Sequence, residues 1–161
     1  MNFYLMPHPP IIIPAIGKGE ELKLYKTTLA CNQIAEEISK LKPQTIIIIT
    51  PHGPMFSDAI CILDDEKIEG DLSQFQCHDV KMSLTFDREL NELILNLSQN
   101  RNIPVVSVDQ HLLKMYHRRF QLDHGVVVPL YFINEQYRDY QLVHITYAPL
   151  KDRQLYEFGM V

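Results

Sequence analysis

The stretch Thr45-Ile46-Ile47-Ile48-Ile49-Thr50-Pro51-His52-Gly53-Pro54 constrains this chain more than any other. Four consecutive β-branched residues favour an extended backbone. A run that is apolar at every position, rather than at alternate ones, reads as a strand buried on both faces at the centre of a covered sheet. Pro51 ends the ladder because it has no N–H to donate. Gly53 lets the backbone turn tightly after His52. A rigid strand thus presents one imidazole at its C-terminal edge, the edge where open α/β sheets hold ligands. A second histidine arrives in the same way. Residues 2–6 read as a short apolar strand, and Pro7-His8-Pro9-Pro10 follows it.

Between these two histidines the spacing predicts a helix from about Glu20 to Leu41. Tyr25, Leu29, Ala30, Ile34, Ile38 and Leu41 form its apolar face, Glu20 and Glu21 suit its first turn, and Lys42-Pro43 stops it. A crossover of that length makes the isoleucine strand parallel to the first strand. Residues 7–17 are rich in Pro, Ile and Gly and read as a loop, with Ile11, Ile12 and Ile13 tucked beneath it. Further strands are expected at 58–63, 80–84, 103–108 and 140–147. Residues 68–79 read as irregular, with a turn at Gly70-Asp71. A helix is expected over 87–100, with Leu90, Leu93, Ile94 and Leu97 inward. A histidine-bearing loop spans 109–122, and another helix starts near 148–152. Leu122 to Ile133 reads as a strand by propensity, but Pro129 opposes a central strand, and Asp123 could instead cap a helix.

The totals exclude several classes of function. The 161 residues suffice for one domain with a real core. The net charge of −5, with no basic run longer than Arg118-Arg119, argues against a nucleic-acid footprint. No apolar stretch approaches the ~20 residues that span a bilayer, and no signal peptide opens the chain. Cys31, Cys61 and Cys77 fall in no paired spacing and read as free thiols of a reducing cytosol, so a cytoplasmic protein is expected. Phosphate loops and nucleophile-elbow motifs are missing from the sequence.

Two histidines plus a carboxylate, with open positions, form the ligand set of non-haem Fe(II) oxygenases. His8 and His52 are the candidate metal ligands. Two histidines simply hydrogen-bonded at loop edges is the alternative reading. His124, between Asp123 and Gly125, is the third candidate. At a helix N-terminus it would contact a substrate or serve in acid–base work, with Asp123 beside it. Otherwise Asp123 merely caps and His124 orients. Asp109 follows a strand and is a minor candidate ligand. His78, His111, His117 and His144 read as structural.

Pro7-His8-Pro9-Pro10, Gly17-Lys18-Gly19-Glu20-Glu21, Thr50-Pro51-His52-Gly53-Pro54 with Phe56-Ser57-Asp58-Ala59, Leu122-Asp123-His124-Gly125 with Val128-Pro129-Leu130-Tyr131-Phe132, and Leu155-Tyr156-Glu157-Phe158-Gly159 occur in one order. This order resembles the LigB-type class III extradiol ring-cleavage dioxygenases, most closely the LigB-like N-terminal domain of AmmeMemoRadiSam system protein A. The resemblance implies a three-layer α/β/α sandwich around a mostly parallel, mixed sheet, with a helix after Asp123-His124-Gly125. It implies Fe(II) held by His8 and His52, and a small aromatic diol contacted by His124. The family's glutamate ligand and acid–base histidine have no counterpart in residues 1–161. The resemblance therefore implies one LigB-like domain short of its C-terminal portion, a homologue inactive by itself. The alternatives are a non-catalytic AmmeMemoRadiSam-type binding protein and a zinc-binding, hydrolase-like α/β protein. A shortened sheet should leave an apolar edge uncovered, so a homo-oligomer is expected.

Overall fold

The computed structural model describes residues 1–161. In chain order the elements are α1 (Pro14–Gly17), α2 (Tyr25–Leu41), β1 (Thr45–Thr50), β2 (Ile60–Leu63), β3 (Lys67–Leu72), β4 (Cys77–Thr85), α3 (Arg88–Asn100), β5 (Val105–Val108), α4 (Gln110–Met115), α5 (His124–Asn134), β6 (Gln141–Thr146) and α6 (Asp152–Phe158), with short 3-10 turns at Pro10–Ile12, Glu20–Leu24 and Ser73–Phe75. The α/β class and the mostly parallel, mixed sheet are as the sequence implied. No helix is long and apolar enough to cross a membrane.

The chain gathers into two compact units. One comprises Met1–Gln44, Glu69–Met82 and Leu122–Tyr140; the other comprises Thr45–Ile68, Ser83–Gln121 and Gln141–Val161. In the first unit, α2 packs on α5. Helix α2 buries Cys31, Ala35 and Ile38, while Tyr25, Leu29, Ala30 and Leu41 are exposed. The buried stripe is therefore shifted from the expected one: Ile38 is inside as expected and Ile34 half-buried, the small Cys31 and Ala35 join them, and Tyr25, Leu29 and Leu41 face outward. Lys42 closes α2 in the left-handed region, its N–H bonded to the Ile38 carbonyl, and Pro43 prevents continuation. Pro129 is accommodated inside α5, whose residues Gly125–Leu130 are all buried. Ile12 and Ile13 are buried beneath the Pro-rich segment, as expected, but Ile11 is 38% exposed.

Residues 2–6 form no strand, and Phe3 and Leu5 are 85% and 97% exposed. The parallel partner expected for the isoleucine strand is thus absent. The apolar run Phe3-Tyr4-Leu5-Met6 has strand propensity, but no ladder receives the segment. Residues 67–72 form β3 rather than irregular chain, paired with β4 in a two-stranded sheet; Gly70 lies within the strand.

In the second unit the sheet order is β1-β6-β2-β5. β1 and β6 are parallel, β2 and β5 are parallel, and β2 and β6 are antiparallel. The central strands are therefore β6 and β2, and every residue of β2 is buried. The isoleucine run is an edge strand, which corrects its placement at the centre: Ile46 and Ile48 are half-buried, while Ile47 and Ile49 are 42% and 59% exposed. Ile60, Ile62, Ile94, Ile103, Val143, Ile145 and Ala148 form the core of this unit, with Leu155 and Phe158 of α6 packed against it. Asp87 ties the start of α3 to the sheet. Its carboxylate accepts from the Leu90 N–H (3.0 Å) and the Thr45 hydroxyl, and its own N–H donates to the Leu142 carbonyl. Leu93 of α3 is exposed and Asn91 is buried in its stead, its amide donating to the Leu63 carbonyl (3.1 Å) and to Asp64 Oδ1 (3.1 Å).

Candidate functional site

His124 is the first residue of α5, and the helix reading that favoured Asp123 as its cap holds. Asp123 is extended at ψ 166°, and its Oδ1 accepts from the Gly125 N–H at 2.7 Å. That bond satisfies one of the orphan donors of the first turn and fixes where His124 leaves the helix. The helix start is itself pinned to β3. The Leu122 N–H donates to the Glu69 carbonyl at 2.9 Å. Gly70 lets that approach happen, since a Cβ there would lie 2.5 Å from the Leu122 Cβ. The glycine read as a turn residue is instead a close-approach residue within a strand.

The same unit brings His8 to His124. Their ring centroids lie 5.7 Å apart with the planes inclined by 58°. Phe75, from the 3-10 turn between β3 and β4, meets His124 edge-on at 5.4 Å and 74°. Both histidines are half-buried. Pro7 and Pro9 bracket His8, and the turn at Pro10–Ile12 follows at once, with the Ile12 N–H bonded to the Pro9 carbonyl. A flexible-looking loop is thereby held by proline geometry and by the burial of Ile12 and Ile13.

In the other unit, His52 stands exposed just past the C-terminal end of β1, as the sequence placed it. Its N–H donates to Thr50 Oγ1 at 3.2 Å, which closes a tight turn. Gly53 then runs hard against β6. A Cβ at that position would lie 2.1 Å from Thr146 Oγ1 and 3.2 Å from His144 Nε2. His144 and Thr146 are 0% and 1% exposed. Sequence reading took His144 for a plain mid-strand residue. It is a wholly buried imidazole behind the His52-Gly53 turn, and its signal in the sequence was a histidine inside an otherwise apolar strand, Leu142-Val143-His144-Ile145.

Asp109 does not join this edge. Its side chain caps α4, accepting from the Leu112 N–H at 2.7 Å. Because β2 is antiparallel to β6, the C-terminal ends of β2 and β5 lie at the end of the sheet opposite Thr146. Asp109 belongs to that opposite end, with Asp64 and Asp65, and is no candidate ligand partner for His52. The three cysteines are free and buried. Burial pushes the Cys61 thiol up to about 12 and raises that of Cys31, so neither is a nucleophile at neutral pH.

Imidazole nitrogens suit Fe(II), Zn(II) and their neighbours in the first transition row. The family model for the catalytic LigB subunit of aromatic ring-opening dioxygenase matches residues 2–161. A curated relative, protein CA_C1420 of Clostridium acetobutylicum, is 47% identical over 159 residues. The match covers 99% of this chain and 34% of the relative, so the chain spans about a third of that protein's length. This chain belongs to the family of the catalytic LigB subunit of aromatic ring-opening dioxygenase.

Proposed function

We propose that this chain carries the metal-binding part of an extradiol-type, ring-opening dioxygenase site, in which His8 and His52 hold a divalent ion, Fe(II) by preference over Zn(II), and His124 contacts a small aromatic diol. Family membership supports the chemistry. The observation that carries the reading is that the proline-held His8 stands beside His124 at the start of α5, their ring centroids 5.7 Å apart. The donor set fits the group. Neutral imidazoles bind borderline divalent metals, and fewer than four protein donors leave positions open for substrate.

Bound iron would supply the one-electron chemistry through which dioxygen reacts with the ring. The chain's own residues do the rest. His124, fixed by the Asp123 cap at the positive end of α5, orients the diol and can take or return a hydroxyl proton. Phe75, edge-on to His124, presents an apolar wall against which a flat ring can lie.

The test separates binding from contact. Metal affinity is measured anaerobically by titration calorimetry with Fe(II), and with Co(II) as a spectroscopic stand-in. His8→Ala and His52→Ala should each weaken binding at least tenfold, since losing even an outer-shell partner costs on the order of 10–100-fold. His124→Ala should keep the metal and lose the spectral change that 4-substituted catechols cause in the Co(II) protein. No stoichiometric metal, or metal binding indifferent to His8 and His52, overturns the reading. Zinc bound without any response to catechols would favour the hydrolase-like alternative.

A further inference from the structure

Within Thr45–Thr50 the edge strand β1 contains no Lys, Pro, Gly or bulge, and it presents Ile47 and Ile49 to solvent. The opposite edge is different: β5 is four residues long, begins just after Pro104, ends at Asp109 and packs against α3. No Asp, Glu, Lys or Arg occurs between Pro43 and Ser57. In a chain of net charge −5, that uncharged segment is where two copies meet without like charges opposed.

The strand is also its own complement. From Thr45 to Thr50 it offers only isoleucine and threonine to a second copy of itself. A two-fold axis normal to the sheet puts directly opposed side chains on one face, so the axis must pass through a residue rather than between two. Centred on Ile48, it sets Ile47 opposite Ile49 of the partner subunit, and Ile49 opposite Ile47 of the partner subunit. Both exposed isoleucines are then paired. Centred on Ile47, it would leave Ile49 against Thr45 of the partner subunit. We propose that two copies of this chain join edge to edge through β1, antiparallel and centred on Ile48, making one sheet continuous across the dimer.

Sedimentation velocity on the full chain at 1–100 μM, about the range of ordinary protein–protein affinities, tests the association. A dimer is expected, and a monomer throughout overturns the proposal. Ile49→Lys puts two cations into the pairing and should give a monomer, whereas Leu93→Lys on α3 should remain dimeric. Ile48→Cys tests the register independently of any fold damage from the lysine. The native cysteines are buried, so mild oxidation should cross-link the introduced thiol to its symmetry mate in most of the protein. Efficient cross-linking through Ile47→Cys in preference to Ile48→Cys, or a dimer that survives Ile49→Lys, overturns the proposed pairing.

Discussion

Gly53→Ala is the most informative single change in this protein. The added Cβ would sit 2.1 Å from Thr146 Oγ1 and 3.2 Å from His144 Nε2. No carbon–oxygen contact survives at 2.1 Å, and both neighbours are buried side chains of a central strand, so neither can swing aside. The turn after β1 must lift instead, at a cost of about 1–3 kcal/mol typical of overpacking. The second half of the experiment isolates the cause. Thr146 Oγ1 is buried with no hydrogen-bond partner, so Thr146→Ala removes a desolvated hydroxyl and costs far less than a typical core truncation. In the double variant the new methyl meets His144 Nε2 at 3.2 Å, which a shift of a few tenths of an ångström relieves, and Thr146 Cβ at 3.4 Å, an ordinary contact. Urea unfolding should therefore give a favourable coupling of about 1–3 kcal/mol between the two substitutions. Thr146→Val keeps an atom where Oγ1 stood and should not rescue. Because His52 precedes Gly53, Gly53→Ala should weaken metal affinity as well, and Thr146→Ala should restore it. An additive double variant, or a Gly53→Ala protein as stable as the parent, refutes the account of a glycine demanded by β6.

Two further outcomes follow from local chemistry. Asp123→Ala removes the cap on α5 and should lower stability by about 1 kcal/mol, seen as a Tm about 2–4 °C lower in thermal unfolding, with Asp123→Asn retaining most of it; an unchanged Tm would mean that the 2.7 Å bond to the Gly125 N–H contributes nothing. Burial of Cys61 holds its proton up to about pH 12 in the folded chain, against an ordinary 9.0, so the folded state binds more protons than the unfolded one between those values. Its contribution is complete below pH 9 and is lost as pH rises toward 12. Cys61→Ala should therefore flatten the fall of stability above pH 9 by up to about 1.4 kcal/mol per pH unit, and identical slopes in parent and variant would contradict it.

How far the sequence could be read depended on what kind of signal each segment carried. Helices α2 and α3 announced themselves by spacing and caps, but their buried stripes were displaced because Cys31, Ala35, Asn91 and Ser98 are inside while Leu29 and Leu93 are outside. Size and apolarity ranked those residues wrongly; what counted was close approach for the small ones and, for Asn91, a side-chain nitrogen that donates to the Leu63 carbonyl and Asp64 Oδ1. Residues 2–6 had strand composition without a neighbouring ladder, a fact that no local pattern encodes. The site histidines His8, His52 and His124 were legible because prolines, a glycine and a capping aspartate surround them, and those residues write geometry directly into sequence. His144 reads as structural and is buried in β6, but that it leaves no room for a side chain at Gly53 comes from another strand and no local pattern encodes it.

The isoleucine run shows where the inference from strand to ligand edge needs one more step. Only nine residues, 51–59, separate β1 from β2. Parallel strands of one sheet need a crossover of a dozen or more residues, so β2 had to run opposite to β1. The pairings bear this out, with β6 parallel to β1 and antiparallel to β2. Reversal at that point divides the strand ends between two poles. His52 and Thr146 stand at one pole, and Asp64 and Asp109 stand at the other. "End of a strand" is therefore a ligand address only after the strand's direction is known. The short proline-rich connection that carries His52 supplies that direction, and by turning the chain back it keeps the acidic strand ends away from the imidazole.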